Sequence, residues 1–218
     1  MTSNSNFAVL ALLVVIAIGG VEPHGNMLIP LNRASIWRNP KFASYNPREN
    51  WNDRELYCGG FIKQYYNNGG NCGPCGDDWA ERAPRHHENT GYFGQGIITA
   101  NYTAGQEIPI QIYLEAYHMG YFEFSICQLA NRGSIETNEC FSLTLEQSNG
   151  SGQKFIVDKG IGIYDMTYRL PEGFRCDACV LRWHYETGNL WGDCDDGTQG
   201  FGCGPQEIFR NCADISIY

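Results

Sequence analysis

Residues Phe7 to Ile18 form twelve unbroken apolar positions, followed by Gly19 and Gly20, and His24-Gly25 stands a few residues further on. The run has the length of a secretory h-region, short of the roughly 20 apolar residues that a bilayer span needs. Removal of residues 1–23 as a leader makes His24 the first residue of the mature chain. An N-terminal histidine offers one metal ion both its α-amino group and a ring nitrogen. That chelate suits divalent copper, which favours tetragonal nitrogen coordination. A second histidine would complete a set of three nitrogens. His118 stands where an alternating apolar segment runs into Met119-Gly120, a strand-to-loop position that a surface histidine takes as readily as a metal ligand.

Two routes lead to that terminus. Ala17 and Gly19 satisfy the small-x-small rule of signal peptidase, a cut that leaves Gly20-Val21-Glu22-Pro23 ahead of His24 for a second trimming step. A direct cut after Pro23 is the other. The domain reading is a leader over 1–23 and one domain over 24–218, extracellular in location.

The chain has 218 residues and a net charge of −9, of which only Glu22 lies in residues 1–23. An acidic chain without a Lys/Arg cluster excludes nucleic acid and anionic membrane as partners. A neutral polymer such as a polysaccharide makes no such electrostatic demand, and the 13 Tyr and 5 Trp include side chains able to stack on sugars.

Ten cysteines behind a leader imply five disulfides, with the pairing left open. Cys72-Gly-Pro-Cys75 has the thioredoxin-type spacing, but no βαβ pattern surrounds it. Cys72/Cys75 and Cys176/Cys179 lie about a hundred residues apart, far beyond the 15–20 of a zinc ribbon. Asn101-Tyr102-Thr103 and Asn149-Gly150-Ser151 are N-glycosylation acceptors.

The elements that must position these groups fall into two zones. Residues 24–96 are rich in Asn, Gly, Pro and aromatics and read as long disulfide-tied loops, with one short helix around 55–66. From Ile97 onward the pattern alternates. Ile108, Ile110, Ile112, Leu114 and Ala116 share one face, as do Phe122, Phe124 and Ile126. Leu181, Trp183 and Tyr185 mark another strand, and Phe209, Ala213, Ile215 and Ile217 the last. Several short strands without intervening helices predict an antiparallel β-sandwich of the immunoglobulin/fibronectin-like kind, monomeric. The other histidines are set aside. His86-His87 lie in a charged loop and read as a solvated patch, and alternation turns His184 away from the Trp183 face toward solvent.

The motifs together resemble a family. They are the leader followed by His24-Gly25, Asn32-Arg33 with Trp37, Cys58-Gly59-Gly60-Phe61, and Asn68-Gly69-Gly70-Asn71-Cys72-Gly73-x-Cys75-Gly76-Asp77. Ala116-x-His118 and Cys203-Gly204-x-Gln206-Glu207-x-Phe209-x-x-Cys212-Ala213-Asp214-Ile215 complete the set. They are similar to the insect-type lytic polysaccharide monooxygenases, auxiliary-activity family fifteen, across the whole mature chain. The resemblance implies one copper ion held by His24 and His118, with Phe209 in the axial position as a non-ligand. Ala116 packs beside that axial face, and Glu207 is the polar group beside the site. It further implies an external reductant, oxygen or hydrogen peroxide as cosubstrate, and oxidation of crystalline chitin at C1, with cellulose second. A non-catalytic polysaccharide-binding protein using the same surface is the alternative. A glycosidase built on the scattered residues Asp77, Asp78, Asp193, Asp195 and Asp196 is the weakest reading.

Overall fold

A computed structural model describes residues 25–218; the leader and His24 lie outside the described residues. The strands are β1 (Gly25–Ile29), β2 (Ala100–Tyr102), β3 (Glu107–Leu114), β4 (Tyr121–Gln128), β5 (Leu143–Thr144) and β6 (Glu146–Gln147). They continue with β7 (Phe155–Ile156), β8 (Gly162–Arg169), β9 (Cys176–Glu186), β10 (Trp191–Asp193), β11 (Gln199–Phe201) and β12 (Ile208–Ile217). One sheet has the order β1-β3-β8-β6. A larger one runs β2-β12-β9-β4-β5, with β7 also on β4. β10 and β11 form a separate hairpin.

The alternation in the sequence is the cause of this arrangement. Ile108, Ile110, Ile112 and Leu114 point inward from β3, and Phe122, Phe124, Leu181, Trp183, Tyr185, Phe209 and Ala213 point inward from the larger sheet. Both sets join one buried cluster, so the two sheets close face to face. One pairing departs from the antiparallel expectation: β2 runs parallel to β12, with Ser216 opposite Asn101. That pairing needs no hairpin, because a long excursion separates the two strands in the chain.

Residues 30–99 are mostly loops, as expected, interrupted by two 3-10 turns at Arg33–Arg38 and Pro40–Tyr45, and the helix over 55–66 shrinks to a short stretch over 61–67 that closes in a π-type turn, Lys63–Asn67. These loops cover the outer face of the larger sheet. Arg210 on β12 donates to the carbonyls of Cys72 and Gly73, both at 3.2 Å, and the Tyr65 hydroxyl donates to the Gln206 carbonyl at 2.8 Å. Arg33 is the keystone of the layer. Its guanidinium grips Asp214 at 2.9 and 2.6 Å, the His87 carbonyl at 2.8 Å, and Glu136. Burial alone would lower the Arg33 pKa, but the two carboxylates outweigh it and raise the value, so the charge stays.

All ten cysteines are paired: Cys58–Cys72, Cys75–Cys212, Cys127–Cys140, Cys176–Cys179 and Cys194–Cys203. Cys72 and Cys75 go to different partners, which removes the redox reading of that pair. Among the described residues, Cys75, Cys212 and Glu136 bring metal-type ligand atoms together, but the two sulfurs are bonded to each other.

Candidate copper site

β1 begins at the same end of the sandwich at which β3 stops, since Gly25 pairs with Leu114. Gly25 has no room for a side chain: a Cβ would lie 2.7 Å from Leu114 Cδ2 and 3.3 Å from Trp183. The glycine after His24 is therefore a packing requirement, and it brings the chain in against the core at that end. β4 starts there at Tyr121, β9 ends there at Glu186 and β12 starts there at Ile208, all three in register.

His118 lies in the β3–β4 loop, four residues beyond the last residue of β3 rather than at the strand terminus. Its main chain is fixed on both sides. The His118 N–H donates to the Tyr185 hydroxyl at 3.3 Å, which in turn donates to the Met119 carbonyl at 2.7 Å. The His118 carbonyl accepts from Gly188 N–H at 2.8 Å. The loop turns through Met119 at φ 53° and Gly120 at φ 84°, and a Cβ on Gly120 would collide with the Glu186 carbonyl at 2.0 Å. Only glycine fits there.

The half-buried ring of His118 meets the Asn189 side-chain amide at Nδ1, 2.6 Å away. Desolvation lowers its pKa, with the Asn189 contact opposing, so the ring is neutral and able to act as a ligand near neutral pH. Phe209 is buried on the inner face of β12, between Tyr57 at 6.0 Å and Tyr185 at 5.8 Å between ring centres. A side chain in that stack brings no ligand atom. Glu207 is two residues before Phe209, half-buried, and close enough to Tyr185 for its charge to help raise the phenol's pKa, burial being the main cause.

Two of the discarded histidines are not exposed to solvent as expected. His87 is buried: its Nδ1 lies 2.6 Å from Asp77, its Nε2 is 2.9 Å from the Asn50 amide, and Phe93 stacks on its ring. His184 does point away from Trp183, but the loop layer covers it. Arg210 Nε donates to its Nδ1 at 3.2 Å, and burial drives its pKa down to about 4. His86 remains exposed. Asp77 is committed to His87, which removes it from any glycosidase pair. Tyr185, Gln206 and Asn189 are the supporting residues that sequence reasoning left without a role. Gln206 carried a signal as part of the closing motif, Tyr185 only as an inward residue of its strand, and Asn189 none.

The aromatic surface also lies near this end. β10 starts two residues after Asn189, and its Trp191 (61 % exposed) meets Phe201 of β11 (66 % exposed) edge to face at 5.3 Å. Cys194–Cys203 straps this hairpin. Trp51 is 71 % exposed and braced by Trp37 and Arg38. Trp51 flanks an open groove of about 430 Å³ shared with Arg38, Asn52, Asp53, Arg54 and Glu115.

Residues 24–215 match the family model for lytic polysaccharide mono-oxygenases, described as cellulose-degrading. The chain is similar to the solved AA15 lytic polysaccharide monooxygenase from Thermobia domestica in its Cu(I) state. The identity is 45 % over 89 % of this chain and 98 % of that one, with a TM-score of 0.85. It also shares a fold with a chitin-binding domain from Burkholderia pseudomallei, 12 % identical over 90 % of this chain and 100 % of that one, at TM-score 0.50. No curated protein matches. The chain belongs to the lytic polysaccharide monooxygenases, copper-dependent enzymes. Within them it is of the insect type, family AA15.

Proposed function

We propose that this chain is a secreted monooxygenase whose single copper is held by the α-amino group and ring of His24 together with the ring of His118. Processing at residue 23 frees the single domain over 24–218. The carrying observation is convergence: Gly25 enters the core at the end of the sandwich that carries the His118 loop. The family match begins at His24, which accords with this reading. The residues fit the metal. His118 is neutral, its main chain is anchored at both N–H and carbonyl, and one ring nitrogen is engaged by an amide. Two sheets around one core likewise support the immunoglobulin/fibronectin-like description.

Copper at this site would supply one-electron activation of oxygen or hydrogen peroxide, fed by an external reductant, for hydroxylation of a sugar ring carbon. The protein's own part is positional. Phe209 would face the metal with carbon and offer it no ligand, and the small side chain of Ala116 would leave room beside it. Glu207 provides the polar group beside the cosubstrate. The exposed aromatics Trp51, Trp191 and Phe201 suit a crystalline surface better than a lone chain in a cleft. Chitin oxidised at C1 is the proposed reaction, with cellulose second; the family model's description favours the latter. Five disulfides and the apolar leader support an extracellular location, and the enzyme acts as a monomer.

Mass spectrometry of the purified protein should find His24 at the N-terminus. A chain retaining Gly20–Pro23 that binds copper and turns over normally would overturn the proposal. His118→Ala should abolish copper binding and release of oxidised oligosaccharides from chitin while lowering stability by less than about 1 kcal/mol, since little core is lost. Equal activity in parent and variant refutes the site.

A further inference from the structure

His118 poses a problem that its neighbour solves. The Asn189 amide faces His118 Nδ1 through Nδ2 at 2.6 Å, while its Oδ1 is buried without a partner. In that orientation the amide donates to Nδ1, and the neutral ring must carry its hydrogen on Nε2. Neither nitrogen then has a lone pair for a metal. A half-turn of the amide exchanges Oδ1 and Nδ2 with almost no change in shape. It gives Oδ1 a hydrogen-bond donor, moves Nδ2 into the place that Oδ1 held, and makes Nδ1–H the donor. The Nε2 lone pair is then free.

We propose that Asn189 is a positioning residue of the metal site: its Oδ1 accepts from His118 Nδ1–H and holds the ring in the tautomer that presents Nε2 to copper. This rests on the reading of His118 as a copper ligand. A metal-bound histidine generally donates its other ring N–H to an acceptor that fixes its tautomer and orientation. Asn189 is built for that task, because its backbone neighbours are held on both sides. Gly188 N–H donates to the His118 carbonyl at 2.8 Å and Thr187 N–H to the Glu207 carbonyl at 3.0 Å. On the other side the buried Gln206 amide clamps Leu190, accepting from its N–H at 3.0 Å and donating to its carbonyl at 3.1 Å. The same short segment thus ties together the His118 loop, the Asn189 amide and the approach to β12.

The test reads the tautomer first. In metal-free, ¹⁵N-labelled parent protein, two-bond ¹H–¹⁵N correlations of His118 should show hydrogen on Nδ1; hydrogen on Nε2 overturns the proposal, and no variant is required. Asn189→Leu, which keeps the volume and deletes the acceptor, should weaken copper binding about tenfold or more in a chelator competition and alter the Cu(II) electron paramagnetic resonance spectrum. Asn189→Asp, which keeps an acceptor oxygen, should restore both. Parent-like affinity and spectrum in Asn189→Leu overturn the proposal, as does a failure of Asn189→Asp to restore them. The tautomer is read without metal, so a parent that binds no copper refutes the copper reading separately.

Discussion

His118 and His184 belong to different regions of the molecule, the loop that crosses from β3 to β4 and strand β9 of the larger sheet. His118 sits at the open rim and His184 beneath the loop layer, yet desolvation lowers the pKa of both. Their partners separate them. Arg210 occupies Nδ1 of His184, and Glu186 faces its Nε2 from 3.9 Å, beyond hydrogen-bond distance, so both nitrogens are turned to protein groups. At His118 the backbone is pinned by Tyr185 and Gly188, but among the described residues only the Nδ1 edge of the ring has a partner. A structural histidine turns both ring nitrogens to protein groups, whereas a ligand histidine is held by its backbone and one nitrogen. Burial and pKa alone do not tell these apart; the count of ring nitrogens turned to protein groups does.

If the loop layer is structural and the rim functional, the largest stability effect belongs to Arg33. Arg33→Leu leaves Asp214 and Glu136 buried without their cation, which should cost about 3–5 kcal/mol. Denaturant unfolding measures this. Activity per folded molecule should stay near the parent's, and a selective loss of activity at unchanged stability would break the division between the two regions.

His184 sharpens it through pH. Its folded pKa is about 4 against an ordinary 6.5, so between those values the unfolded chain binds a proton that the folded one does not. The contribution is therefore fully present above pH 6.5, falls as pH drops toward 4, and is lost below that. The span is on the order of 3 kcal/mol. His184→Gln, which keeps a polar group toward Arg210, should flatten stability against pH between 6.5 and 4. An unchanged profile would mean that His184 does not titrate beneath the loops.

What was legible in the sequence follows the same division. The period-two pattern of Ile108 to Leu114 reads directly, because inner and outer faces of a strand differ in chemistry along consecutive residues. His184 alternates as a solvent-facing residue would, and nothing local shows that residues 56–78 fold back over it. His87 is hidden for the same reason, its partners Asp77 and Asn50 lying 10 and 37 residues away. The two-residue strands β5, β6 and β7 carry no pattern, since they exist through their partners. At the site, His118 stood out through Ala116-x-His118, whereas Asn189 and Tyr185 act on it from 71 and 67 positions away. Hydrogen bonds of that range leave no spacing to read.

The smallest expected effect on stability, and the one that probes the rim alone, concerns the β10–β11 hairpin. The segment around the glycine-rich residues 197–204 carries Trp191 and Phe201 as a paired, exposed aromatic step. Trp191 buries little, so Trp191→Ala should change stability by no more than about 0.5 kcal/mol. The Cys194–Cys203 strap keeps the hairpin closed in the variant. If the step stacks on sugar rings, the loss of an aromatic face should weaken adsorption to crystalline chitin or cellulose several-fold in a depletion assay. Copper affinity should be unchanged, because Trp191 is no part of the His118 hydrogen-bond set. Unaltered adsorption to both polymers would remove the hairpin from the binding surface and leave exposed Trp51 to carry it. A fall in copper affinity instead would show that the hairpin and Asn189 are mechanically coupled, and that the rim cannot be divided into a metal-holding part and a substrate-holding part.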